Sequence, residues 1–172
     1  MKTKFLVMGI GNPMLKDDRA GIEVAERIGS LFPEIGCEIV YGVGFEVNDK
    51  IMDCEQAVII DAAKMGHEPG TIIEVTVDDI FNDNMLASSH AMTLGSTLKA
   101  GYQLFADKMP PVVRIILIEA EDYFEFTDKC SPKVVHAIDN VVSQLSSEIE
   151  TLLGCSGHQG PDDKQASAQP SI

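Results

Sequence analysis

Basic residues are scarce in this 172-residue chain, with 13 Lys and Arg against 27 Asp and Glu, a formal net charge of −14. Phosphate binding needs a basic face, so nucleic acid is excluded as the main partner. A partner with a basic segment is attracted instead. Long apolar runs are also missing. None approaches the roughly 18–20 residues of a membrane span, which excludes an integral membrane protein. Cysteine is sparse: Cys37, Cys54, Cys130 and Cys155 form no C-x-x-C pair. That pattern suits neither a disulfide scaffold nor a zinc site and points to a reducing, cytoplasmic compartment. Cys37 and Cys54 read as small buried hydrophobes. Lys2 and Lys4 precede an apolar stretch, but Asn12, Pro13, Lys16, Asp17 and Asp18 follow with no small-residue cleavage site. The N-terminus therefore reads as structure and not as a signal peptide.

What is present is a globular composition, 45% hydrophobic, at a length that makes one domain. Short apolar runs at 5–9, 37–41, 57–60, 71–76 and 112–118 read as strands. Helical patterns lie between and after them. After Asp17 and Asp18, Ile22, Ala25, Ile28 and Phe32 recur at spacings of three and four. Shorter helical segments fall at 46–52 and 77–83. A helix at 91–105 carries Leu94, Leu98, Tyr102 and Phe105. A long one at 132–153 carries Val134, Ile138, Val141, Leu145, Ile149 and Leu152 in one stripe. Fully apolar strands alternating with amphipathic helices predict a three-layer α/β fold, with a mostly parallel sheet covered on both faces. The domain is expected over 1–153. Residues 154–172 are polar and read as a disordered tail.

Several catalytic signatures are absent. Neither Gly-x-Ser-x-Gly nor His-Glu-x-x-His occurs, which removes the α/β-hydrolase elbow and the common zincins. Gly9-x-Gly11 after the first strand suggests a dinucleotide turn, but Met14 stands where the third Gly belongs, and Asp17 and Asp18 would oppose a phosphate.

The polar residues at the strand ends are more informative. Ligands of open parallel sheets bind at the carboxyl ends of the strands. Asp18 follows the first strand, Asp61 follows Ala57-Val58-Ile59-Ile60, and His90 follows Ser88-Ser89 just before a helix. Two carboxylates and an imidazole would make a three-ligand site with open positions, suited to Ni, Zn, Mn or Fe more than Cu(I). Simpler roles compete. Asp17 or Asp18 can cap a helix, Asp61 can open a turn, and His90 can serve as a cap or a satisfied core residue. His67, His136 and His158 are weaker candidates.

Gly9-x-Gly11-Asn12-Pro13-x-Leu15-x-Asp17-Asp18-x-x-Gly21, then Ile59-Ile60-Asp61-Ala62, then Ser89-His90, resembles the maturation endopeptidases of nickel–iron hydrogenases. The resemblance covers about 4–150. It implies a twisted sheet of about five strands and a monomeric enzyme that cuts a C-terminal extension from the large-subunit precursor after nickel insertion. Nickel would be carried by the substrate and not held permanently. By position, Asp18, Asp61 and His90 would be the nickel-contacting and catalytic groups, with Asn12 and Asp17 in support. The loop after the second strand, Tyr41-Gly42-Val43-Gly44, would face the substrate through Gly42 and Gly44. It departs from the family's Asp-Gly-Gly. Arg19 replaces a common Gly, and Leu117-Ile118-Glu119-Ala120 leads into an unusually acidic loop ending at Asp128. Competing functions are a non-catalytic nickel-sensing or chaperone-like module, a metallopeptidase with resident metals, and a flavodoxin-like cofactor binder.

Overall fold

The structure, a computed structural model, describes residues 4–82 and 89–155. Five strands form one sheet: β1 (Phe5–Ile10), β2 (Gly36–Val40), β3 (Gln56–Ala63), β4 (Ile72–Thr76) and β5 (Val112–Glu119), in the order β2-β1-β3-β5-β4. β2, β1, β3 and β5 are parallel, and β4 runs antiparallel to β5 at the edge. The expected mostly parallel α/β sheet is therefore present. The central strands β1 and β3 are buried along nearly their whole length, which is why they read as unbroken apolar runs.

The helices are α1 (Ala20–Leu31), α2 (Glu46–Ile51), α3 (Val77–Asn82), α4 (Ser89–Leu104) and α5 (Pro132–Cys155). Side chains alternate across each strand, so each face of the sheet has its own core. Leu6, Met8, Ile59 and Ile115 pack with Val47 and Ile51 of α2 and Leu94 and Leu98 of α4. Val7, Val58, Ile60 and Ile116 pack with Val24 and Ile28 of α1 and with the α5 stripe from Val134 to Ile149. Each fully buried Val, Leu or Ile contributes about 1.5–3 kcal/mol. α5 runs two residues past the expected boundary at 153, and 156–172 lie outside the described residues. Phe105, expected on the apolar face of α4, follows the end of the helix and is partly exposed. Cys54 is buried as expected, whereas Cys37 is only half-buried.

The strand order creates a switch point. From β1 the chain moves outward to β2, then returns across β1 to β3 and continues the other way. The crevice between the ends of β1 and β3 is where a parallel sheet accommodates a ligand. Gly21, at the start of α1, closes the base of that crevice. A Cβ there would lie 2.3 Å from the Ile60 carbonyl oxygen and 2.6 Å from that of Ile10. Both are backbone atoms of central strands and cannot yield. Gly21→Ala is expected to destabilise the fold by about 3 kcal/mol. A denaturant midpoint equal to that of the parent would show that the helix start can shift.

Candidate active site

Asp18 lies in a 3-10 turn, Asp17–Arg19, between β1 and α1. The capping alternative fails for both aspartates, since neither the turn nor α1 has a side-chain cap hydrogen bond. Their carboxylates go elsewhere. Asp18 is nearly buried, and its Oδ2 accepts the Asn12 N–H at 2.9 Å. Asn12 thus holds Asp18 through its backbone. Its side chain accepts the Met14 N–H at 2.9 Å, the local turn typical of Asn.

Asp17 is completely buried. Its Oδ1 accepts the Ser131 N–H at 2.6 Å. Its Oδ2 accepts the N–H groups of Glu121 and Asp122 at 2.9 and 3.0 Å and the Ser131 hydroxyl at 2.9 Å. Four donors occupy this carboxylate. It ties the first turn to the loop after β5 and to the residue that precedes Pro132, the first residue of α5. This makes Asp17 a structural tie between the first turn and two distant segments.

Asp61 lies within β3 and not in a turn after it, because pairing with β5 continues to Ala63. It shares strand parity with Ala57, Ile59 and Ala63, whose side chains join the core on the α4 side. Asp61 is fully buried, and among the described residues neither carboxylate oxygen accepts a hydrogen bond. The Ala62 N–H is near enough to exert a pull but lies outside hydrogen-bonding geometry. Burial first, and then the negative charge of Asp18, hold the Asp61 carboxyl well above its usual range. A buried, unsatisfied carboxyl beside another carboxylate is destabilising by itself. Such groups mark functional sites more often than structural ones.

His90 falls in the first turn of α4 rather than on a loop before it. Its side chain, with Ser88, lies outside the described residues. Among the described residues no cluster of three or more His, Cys, Asp or Glu forms a metal-binding group. The structure therefore brings Asp18 and Asp61 together and places the His90 backbone at the start of a helix on the Asp61 side of the sheet. Gly42 and Gly44 lie on the loop after β2, at the same sheet edge, where a Cβ at either position would meet open space.

Two further residues belong to this edge. Glu119 ends β5 beside Ala63. It is fully buried, and its carboxylate accepts the N–H groups of Met65 and Gly66 at 2.9–3.0 Å. Tyr123 is half-buried in the following loop. Burial, followed by the negative charges of Asp18, Glu119 and Asp61, pushes its phenol up. No spacing in the sequence marks Tyr123, because its position depends on the fold of the 120–131 loop. The acidic character of that loop was the only available signal.

The fold has counterparts among known proteins. A family model for hydrogenase maturation proteases matches residues 42–148, more than half of the chain. That range includes Asp61 and His90 but begins after Asp18. A Methanocaldococcus jannaschii relative, assigned by name to the hydrogenase maturation proteases, is 24% identical over 159 residues, covering 87% of this chain and 98% of its own. The Escherichia coli hydrogenase maturating endopeptidase HybD superposes with a TM-score of 0.67 at 24% identity, covering 90% of this chain and 94% of its own. The Thermococcus kodakarensis [NiFe] hydrogenase maturation protease HybD gives a TM-score of 0.64 at 23% identity, over 85% and 98% of the two chains. These structures share the fold, and the sequence match carries the family. The chain belongs to the hydrogenase maturation protease family and is a peptide-bond hydrolase.

Proposed function

We propose that this protein removes the C-terminal extension of a nickel–iron hydrogenase large-subunit precursor and uses the precursor's own nickel as its recognition element. The observation that carries this reading is the Asp61 carboxyl, buried beside Asp18 at the switch point without a hydrogen-bond partner among the described residues. A substrate cation entering the crevice would supply what this pair lacks. Asp18, Asp61 and His90 would occupy open positions on that nickel. The neighbouring peptide bond would then be held in a near-attack position. The cation could also polarise the scissile carbonyl or activate the attacking water. Asn12 and Asp17 act in support: Asn12 fixes Asp18 directly, and Asp17 fixes the turn that bears it. Precursor without nickel lacks the anchor, so cleavage follows metal insertion. The protein itself holds no permanent metal in this scheme and works as a cytoplasmic monomer. No described helix is long and apolar enough to cross a membrane.

The test is the intact mass of nickel-loaded precursor after incubation with this protein. Loss of a C-terminal peptide is expected, with none from nickel-free precursor. His90→Ala is expected to slow cleavage at least about 100-fold. Equal cleavage of both precursor forms, or normal cleavage by His90→Ala, would overturn the nickel-gated scheme.

A further inference from the structure

The loop after β5 is pinned along its length, yet it presents apolar side chains to solvent. It pairs with the turn after β1 as an irregular antiparallel ribbon, with Leu15 opposite Phe126. Main-chain hydrogen bonds run from Lys16 N–H to Glu125 O at 2.9 Å, from Asp17 N–H to Asp122 O at 3.0 Å, and from Thr127 N–H to Met14 O at 3.1 Å. The Arg19 guanidinium donates to the carbonyls of Asp128 and Pro13. The Asp17 carboxylate holds Glu121 and Asp122. On this fixed frame Phe124, Phe126 and Met14 are 79%, 77% and 61% exposed. Large apolar side chains on a mobile loop need no explanation. Three on a braced ribbon mark a contact surface.

The ribbon is continuous with the crevice. Asp17 and Asp122 pair directly beside Asp18. Tyr123 is half-buried and within reach of the charges of Asp18, Glu119 and Asp61, while its neighbour Phe124, with ring centroids 4.9 Å away, is exposed. The patch is also acidic. Glu121, Asp122, Glu125 and Asp128 surround the two phenylalanines in sequence, and Lys16, Arg19 and Lys129 offset part of that charge. Lys16 is already engaged by Glu125 at 2.9 Å. The excess is negative, as over the whole chain.

We infer that the ribbon of Met14, Phe124 and Phe126 is a docking surface for the hydrogenase precursor, and that it receives a segment pairing apolar side chains with Lys or Arg. This inference rests on the processing reading above. Apolar anchors supply affinity, and the surrounding carboxylates select the charge of the incoming segment and speed encounter. Docking beside Asp18 fixes the precursor's orientation before the peptide bond reaches the crevice.

The test uses the full chain with nickel-loaded precursor, measuring kcat, KM and the Kd of the complex. Phe124→Ser/Phe126→Ser is expected to raise KM and Kd at least about tenfold while kcat stays within about twofold. Glu121→Lys/Asp128→Lys is expected to raise KM and flatten its dependence on salt. Circular dichroism melts establish that each variant is folded. Unchanged KM and Kd in the folded Phe variant, with wild-type cleavage intact, would overturn the docking surface and leave the processing reading standing. A complex that forms through the two phenylalanines but is never cut would overturn the processing reading and leave the docking surface. Absence of any complex would remove both. Concentration-dependent dimerisation of the wild type that the Phe variant abolishes would assign the patch to a second copy of this chain and overturn the proposal.

Discussion

Asp61→Asn is expected to lose at least about 100-fold in processing rate while melting at a higher temperature than the wild type. The two effects share one cause. The Asp61 carboxyl is buried with no hydrogen-bond partner among the described residues, so its ionised form is penalised in the free protein and, in the proposed scheme, its lone pairs are the ones a substrate cation would engage. An amide keeps the shape and removes the ionisable charge. A gain of about 1–3 kcal/mol follows from relieving a buried, uncompensated carboxylate. For a domain of this size that raises the melting temperature by roughly 2–10 °C. The gain depends on pH in a fixed direction. Folding raises the Asp61 pKa above its ordinary value of 3.8. Below that value both folded and unfolded chains carry the proton, and the residue contributes no instability. As pH rises, the unfolded chain releases its proton first and is stabilised relative to the folded one. Stability is therefore lost until pH passes the folded pKa, and the advantage of Asn grows across the same window. Melts at pH 4 and pH 7 check this. A variant that processes normally, or is less stable than the parent at pH 7, would show that Asp61 is a satisfied structural residue.

Asp17→Asn is expected to destabilise the protein by about 2–4 kcal/mol and to impair processing with it. The carboxylate has four donors and nothing to donate. An amide in either orientation points its NH2 group at a donor, so the isosteric change is more disruptive than its shape suggests. Ser131→Ala removes only the hydroxyl donor and is expected to cost about 1 kcal/mol. Denaturant midpoints of the two variants, with processing rates taken well below both melts, check the ranking. If Asp17→Asn proved as stable as the parent, the tie between the first turn, the 121–122 loop and α5 would not be what holds Asp18 in place. Asp17 and Asp18 are adjacent and chemically identical, yet their expected failures differ. The Asp17 change acts mainly through folding, while Asp18 faces the crevice.

That contrast shows what could be read before the fold was known. Fully apolar strands and amphipathic helices with three- and four-residue spacing were sufficient for a mostly parallel α/β sheet, because burial on both faces leaves an unbroken apolar strand. They were also sufficient to place Asp18 and Asp61 near one edge, since both follow or close such strands. The order of the strands was not readable. Which strands neighbour each other depends on long-range packing, and the antiparallel pairing of β4 with β5 leaves no mark in the local pattern of 71–76.

The sequence by itself determined the class of the fold and the acidic character of the chain, because composition and periodicity are properties of the chain. It offered Asp18, Asp61 and His90 as candidates by their places near strand and helix ends, and Asn12 and Asp17 only through the family resemblance. Only the tertiary structure decided which carboxylate is bound up and which is left unsatisfied. Asp17 acquires its donors from residues 121, 122 and 131, more than a hundred positions away, whereas Asp61 acquires none among the described residues. The same holds for the half-buried Tyr123 and the exposed Phe124 beside it. Hydrogen bonds and burial are settled by which segments meet across the sheet edge, and no local pattern encodes that meeting.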